Sequence, residues 1–83
     1  MMLYEITSDD GNGNAYCVAR KREDAAYLQL AQAIYRAADA QGLRDTVAAH
    51  NTMKKANSWT KRHPIPVIRL GTYTITISAS RLR

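Results

Sequence analysis

The sequence predicts a two-layer α+β domain in which an antiparallel β-sheet, made of two hairpins, is covered on one face by one long helix. Three patterns in the 83-residue chain predict this fold: an alternating segment near each end, and a helical stretch between them. The predicted element order is β-β-α-(α)-β-β, in which the bracketed helix competes with a strand. We expect residues 1–83 to form a single domain, because a chain of this length supports only one core.

The start of the chain is predicted to form a β-hairpin over residues 2–20. Residues 2–7 place Met, Tyr and Ile on one side of a strand, and residues 15–19 can pair back to them. Between these strands, residues 9–14 are all Asp, Gly or Asn, which tolerate the positive φ angles of tight turns. We expect Cys17, in the middle of the second strand, to be a small core residue.

Residues 22–41 are predicted to form the long helix, because neither Gly nor Pro interrupts them and Gly42 supplies a usual C-terminal stop. Glu23 and Asp24 fall in the first turn, where the helix dipole favours negative charge. The stripe that we expect to face the sheet consists of Tyr27, Ala31, Ile34 and Ala38, widened by Leu28 and Tyr35.

Residues 43–57 leave two alternatives open. Four of them have a spacing that favours a second helix: Leu43, Val47, His50 and Met53. Asp45 could cap this helix, whereas residues 46–49 could equally form a short strand. We favour the helix.

The end of the chain is predicted to form the second hairpin. Residues 57–66 are expected to be a loop, because two prolines prevent regular strand pairing there. Residues 67–70 then lead through a two-residue turn, Gly71–Thr72, into residues 73–79, which alternate strictly. The side chains expected to face inward from this last strand are Tyr73, Ile75, Ile77 and Ala79.

The charges are divided unevenly along the chain. Every acidic residue lies at or before Asp45, so residues 1–45 carry a net charge of −2 and residues 46–83 a net charge of +7, which together give +5. A domain with this imbalance is expected to present a positive surface built from its C-terminal half. Such a surface favours a polyanionic partner.

The best candidate for a binding site is the segment from Lys54 to Arg62, where cations alternate with the chain's single tryptophan, Trp59. Cations neutralise phosphates, and the face of a tryptophan can stack on a base or a cation. Arg69 extends the patch if it faces away from the core. The alternative is a solvated basic loop in which Trp59 fills a gap in the core. The predicted binding residues are Lys54, Lys55, Trp59, Lys61, Arg62, His63 and Arg69.

These features favour a non-enzymatic binding protein that docks a basic surface on nucleic acid or on a nucleoprotein complex. One alternative is a small phage or mobile-element inhibitor that binds a protein component of a bacterial defence complex, as anti-CRISPR proteins do. The small size of the chain and its lack of motifs suggest this alternative, which no residue pattern supports. Another is a small ribonuclease or toxin-like enzyme, for which His50, His63, Lys61 and Arg62 supply the residue types. The sequence leaves open a monomer or a homodimer.

We expect no catalytic residue, no cofactor and no metal. Residues 10–14 have the ligand spacing of a calcium loop, but Lys21 stands where a bidentate Glu is needed. The two histidines and the single cysteine are too scattered for a zinc site. With one cysteine, no signal-peptide pattern and no long apolar run, we expect a cytoplasmic location and no membrane partner.

Overall fold

The computed structural model describes residues 2–57 and 67–81, which form a four-stranded antiparallel sheet and two helices. The elements are β1 (Met2–Asp9), β2 (Ala15–Arg20), α1 (Glu23–Gln41), α2 (Val47–Asn57), β3 (Ile68–Leu70) and β4 (Tyr73–Arg81). The α+β class and the element order are confirmed. The expectation of one covering helix is incomplete, because α2 packs beside α1 and against β3. Most of the predicted loop, residues 58–66, lies outside the described residues.

The sheet has the strand order β2-β1-β4-β3, so the two predicted hairpins meet along β1 and β4. In its register, Tyr4 lies opposite Arg20 on one side and Ala79 on the other. Because directly opposed residues share a face, the buried side chains of three strands gather on the face beneath the helices. They are Tyr4, Ile6, Ile68, Leu70, Ile75 and Ile77. Within the described parts of the chain, no element covers the other face, which we call the open face.

The turn between β3 and β4 has the predicted form. Gly71 has a φ of +60°, while Thr72 does not have a positive φ. A two-residue hairpin with Gly first and a positive φ only there is a type II′ turn, whose twist matches that of the strands. The inward alternation of β4 is also confirmed, although Ala79 is exposed near the end of the strand.

The buried stripe of α1 differs from the predicted one. Ile34 and Ala38 are buried as expected, but Leu28 is 55% exposed and Tyr35 is 48% exposed. The residues that α1 buries are Ala26, Leu30, Ala33, Ile34, Ala37 and Ala38. Four of these six are alanines, which allow the helix backbone to lie close to the sheet, and the other two are Leu30 and Ile34. The spacing of apolar residues therefore predicted the helix correctly, but the face that it predicted to be buried is rotated about the helix axis from the face that is buried.

α2 settles the choice that the sequence left open over residues 46–49, which do not form a strand. Thr46, and not Asp45, caps the helix: the backbone N–H of Ala49 donates to Thr46 Oγ1 at 3.2 Å. The same hydroxyl donates to the carbonyl of Leu43 at 2.7 Å, which fixes its orientation. The buried side chains of α2 are Ala49, Thr52 and Ala56.

A glutamine joins the end of α1 to the second hairpin. Gln41 Nε2 donates to the carbonyl of Leu70 at 2.9 Å and to that of Ala37 at 3.0 Å. Its Oε1 accepts a hydrogen bond from the backbone N–H of Thr72 at 2.9 Å. The side chain lies so close to Gly71 that a Cβ at that position would collide with it.

Two leucines two residues apart on α1 test the observed burial. Leu30 is fully buried and Leu28 is 55% exposed. We expect Leu30→Ala to lower the free energy of unfolding by about 2–5 kcal/mol, because it leaves a cavity, and Leu28→Ala to change it by less than about 1 kcal/mol. Urea denaturation of the two variants measures both values. Equal losses would show that the helix faces the sheet in another orientation.

Stability at alkaline pH tests the environment of Tyr4. Burial raises the pKa of Tyr4, and the negative charge of Glu23 and the hydrogen bond from the hydroxyl to its carboxylate, at 3.5 Å, raise it further. Because folding favours the protonated phenol, this contribution to stability is complete below the unfolded-state pKa of about 10 and is lost as pH rises through the folded-state pKa. We therefore expect the wild type to lose stability relative to Tyr4→Phe above that pH.

The measurement is the free energy of unfolding of both proteins from neutral to strongly alkaline pH. The four other tyrosines are common to both proteins, so the difference between the two curves isolates Tyr4. A difference that stays constant across the whole range would contradict the stated environment.

Candidate nucleic-acid interface

The structure describes three of the predicted binding residues. Lys54, Lys55 and Arg69 are all exposed. The others, Trp59, Lys61, Arg62 and His63, lie outside the described residues.

Lys54 and Lys55 are neighbours in the last turn of α2. The negative end of the helix dipole stabilises cations at this position, and α2 contains no acidic residue. Thr52 and Ala56 are buried on the side of the helix that faces the rest of the protein. Packing through these two residues leaves both lysines in solvent.

Arg69 lies on a different side of the domain from the two lysines. It is the central residue of β3, between Ile68 and Leu70, whose side chains are both 2% exposed beneath the helices. Because side chains alternate along a strand, Arg69 lies on the open face, opposite Thr74. The structure therefore brings Lys54 and Lys55 together but does not add Arg69 to their surface.

A groove of about 400 Å³ runs between α1 and α2. Its floor is apolar and includes Ile34 and Met53. The polar or amphipathic side chains that line it are Tyr35, Arg44, Asp45, His50 and Lys54. Lys54 therefore shares one concave surface with a second cation, a histidine and an aromatic ring.

The charges at this groove are only partly compensated. Arg44 Nη1 lies 3.6 Å from Asp39 Oδ1, and the two side chains are 64% and 53% exposed. An ion pair with this exposure contributes at most about 1 kcal/mol, and salt weakens it further. Asp45 brings one negative charge to the groove against the two cations Arg44 and Lys54. The residues that line the groove therefore sum to +1, and the neighbouring Asp39 reduces this excess through its pair with Arg44.

Sequence reasoning missed Arg44 and Tyr35 as members of a site, and it considered His50 only for catalysis and as a zinc ligand. All three become neighbours of Lys54 through the packing of α2 against α1. His50 and Val47, whose spacing helped to predict α2, are both exposed, Val47 by 76%. The spacing of four residues between His50 and Lys54 was the signal that could have grouped these two, whereas no spacing in the sequence adds Arg44 or Tyr35 to them.

The open face of the sheet has a different chemistry. Its described side chains are Leu3, Glu5, Thr7, Asp9, Ala15, Cys17, Ala19, Arg69, Thr74, Thr76, Ser78 and Ser80. None of these residues is aromatic, whereas sheets that bind single-stranded nucleic acid stack bases on aromatic rings. Cys17 is exposed on this face, so the expectation of a core position for it is wrong. The described residues of this face therefore provide no aromatic ring for a stacking platform.

The Asp-rich turn between β1 and β2 is explained by its own hydrogen bonds. Asp10 Oδ1 accepts from the backbone N–H groups of Asn12 at 2.7 Å and Asn14 at 3.2 Å. Its Oδ2 accepts from the side-chain amide of Asn14 at 2.8 Å. These hydrogen bonds lower the pKa of Asp10, and the one from the Asn14 side chain has a larger effect than the one from the Asn12 backbone. Both carboxylate oxygens serve the turn, so its spacing requires no cation.

Comparison of the chain with protein-family models, with curated proteins and with solved structures gave no match. Two further findings concern residues 2–57 and 67–81. Neither α1 nor α2 is long and apolar enough to cross a bilayer, and no three His, Cys, Asp or Glu side chains are grouped so that they could hold a metal ion. A functional proposal therefore depends on the charge, exposure and geometry of this chain.

Proposed function

We propose that the protein is a non-enzymatic nucleic-acid-binding protein. It contacts the phosphate backbone through the α2 surface, which comprises Arg44, His50, Lys54 and Lys55. The observation that carries the proposal is the pair of exposed lysines at the end of an α2 helix that has no acid, beside a groove that holds a further cation.

The chemistry of the α2 surface suits phosphate better than base recognition. Lysine and arginine contacts to phosphates release condensed counterions, and this release supplies most of the affinity in non-specific binding. Phosphate contacts fix position without reading sequence. The open face, whose described residues include no aromatic ring, offers no second surface for reading bases.

The residues that directly follow α2 in the chain remain part of the proposed interface on sequence grounds. Trp59, Lys61, Arg62 and His63 continue the run of cations that begins at Lys54, with an aromatic ring among them. Because Trp59 is the single tryptophan, its fluorescence can report a base that stacks on it.

Salt dependence tests this function. We expect the affinity for a labelled duplex to fall steeply as salt rises, because each neutralised phosphate contributes about 0.9 to the slope of log K against log salt. Lys54→Gln combined with Lys55→Gln should reduce that slope by about 2 and weaken binding to all sequences alike. Fluorescence anisotropy over a range of salt concentrations measures both effects.

Arg69→Gln is the matched control, since it removes an exposed cation from the other face of the sheet. It should leave the slope nearly unchanged, and circular dichroism should show that all three proteins fold. Salt-independent binding, or equal losses in the control and in the double variant, would count against the α2 surface. RNA cleavage by the wild type that disappears in His50→Ala would contradict a non-enzymatic function.

A specific observation favours a second candidate, an inhibitor that binds a protein component of a bacterial defence complex. Both helices expose large apolar side chains: Leu28 is 55% exposed, Tyr35 48% and Val47 76%. Protein interfaces use aromatic and aliphatic side chains as buried anchors, which phosphate contacts do not require. Tyr35 also lines the groove, so a protein partner would share part of the α2 surface.

A pull-down from bacterial lysate, with and without nuclease treatment, separates the two candidates. If a protein is the partner, it should be retained after nuclease treatment and lost with Tyr35→Ser plus Val47→Ser. Val67→Ser, at an exposed valine outside the helices, serves as the control. Loss of every retained protein on nuclease treatment would exclude direct protein binding and favour nucleic acid.

A further inference from the structure

Among the described residues, the strand β2 forms an edge of the sheet, and it lacks most of the features that usually protect edge strands. It is six residues long, and its register with β1 runs without a bulge from Ala15 to Arg20. It contains no proline, and its only charge is at its last residue. Proteins usually blunt such edges with charges, prolines, bulges or very short strands. The strand at the opposite edge, β3, has two of these protections, because it is only three residues long and carries the charged Arg69 at its centre.

The hydrogen-bonding pattern shows which backbone groups of β2 face outward. The N–H of Asp10 donates to the carbonyl of Asn14 at 3.1 Å, so these two residues form a hydrogen-bonded pair. In an antiparallel ladder such pairs alternate with non-bonded ones. Continuing the register, alternate residues of β2 bond to β1, beginning with Tyr16 opposite Ser8. The outward N–H and C=O groups therefore belong to Ala15, Cys17 and Ala19.

We propose that β2 pairs with β2 of a second copy of this chain, antiparallel and about a two-fold axis at Cys17. Cys17 then lies opposite Cys17 of the second copy, and Ala15 lies opposite Ala19 of the second copy. All of these residues present outward backbone groups, so each pair exchanges two hydrogen bonds. The pairing joins two four-stranded sheets into one continuous sheet of eight strands, an isologous contact that closes on itself.

The side chains are complementary in this register. Small residues oppose one another on the open face, where alanines and Cys17 are all exposed. On the helix face, Tyr16 lies opposite Val18 of the second copy, and Tyr16 is 55% exposed in a single copy. Aromatic and β-branched residues form favourable cross-strand pairs. No two like charges lie opposite each other between residues 15 and 19.

Charge complementarity also favours a second copy as the occupant. Each chain is basic at one end of β2, at Arg20 and Lys21, while Arg22 is paired with Asp24 at 2.7 Å. It is acidic at the other end, where Asp9 and Asp10 begin the turn. Antiparallel pairing brings the basic end of one copy to the acidic turn of the other. Arg20 then lies opposite Asn14 of the second copy, two strand spacings (roughly 9–10 Å between Cα atoms) from Asp10. A long arginine side chain spans that distance.

Arg20 also caps the free edge in a single copy. Its Nη1 donates to the outward carbonyl of Ala19 at 2.8 Å. In the dimer, the backbone N–H of Ala15 from the second copy donates to the carbonyl of Ala19 in place of Arg20. The guanidinium of Arg20 is then available to the acidic turn.

The mass in solution, measured by analytical ultracentrifugation without nucleic acid, tests the proposal. We expect the mass to rise with concentration from 9.3 kDa toward twice that value. Cys17→Lys should weaken the dimer at least about fivefold, because it places two like charges directly opposite each other. Cys17→Ser is the matched control and should dimerise as the wild type does. A mass that stays at 9.3 kDa at all concentrations, or equal dimerisation of both variants, overturns the proposal.

Oxidation with diamide tests the register itself. In a hydrogen-bonded pair the Cα atoms lie about 5.5 Å apart, which a disulfide can span. The two Cys17 thiols would form one S–S bond, and their two protons and two electrons would reduce the N=N bond of diamide. Cross-linking should be faster in native protein than in urea. Equal rates would overturn the register centred on Cys17. Because nucleic acid is absent from both experiments, their failure is separate from failure of the proposed function.

Discussion

The hydrogen bonds of Gln41 hold the end of α1 on the second hairpin, which itself pairs with β1 along the whole of that strand. They attach the end of α1 to the turn between β3 and β4, two segments about thirty residues apart in sequence. Gly42 follows in a left-handed conformation, with a φ of +68°, and ends the helix there. The cap at Thr46 then starts α2. The groove and the two lysines at the end of α2 take their positions from this attachment together with the packing of α2 on α1 and β3.

The distribution of charge in the fold differs from its distribution along the chain. In sequence, the positive half begins after Asp45 and appears as one block. In the structure, Lys54 and Lys55 belong to the helix layer, while Arg69 lies on the open face. Arg44, from the half with the negative balance, joins Lys54 at the groove. A surface is therefore assembled by packing from residues of both halves, so counting charges along the chain does not locate it.

Local patterns predicted the fold well because the forces that make hairpins and helices act over a few residues. The turn at Gly71 and the end of α1 at Gly42 both depend on a backbone conformation that glycine adopts readily. The inner face of α1 was harder to place, because it depends on how closely the helix approaches the sheet. Alanines permit a close approach of the helix to the sheet. Ranking residues by the size of their apolar side chain places Tyr35 above Ala37 and therefore cannot detect this approach. The groove was beyond local reasoning, since it exists only once α2 has packed on α1.

The many alanines on the buried sides of the helices limit which substitutions this sequence can accept during evolution. Among the described residues, six of the fourteen buried apolar side chains are alanines. Because alanine has a single methyl group as its side chain, most substitutions at these positions add volume and push the helices away from the sheet. Lineages descended from this chain should therefore vary freely at Leu28 and Val47 while keeping small residues in the helix layer. Larger replacements should appear there only together with a smaller residue on the strand beneath.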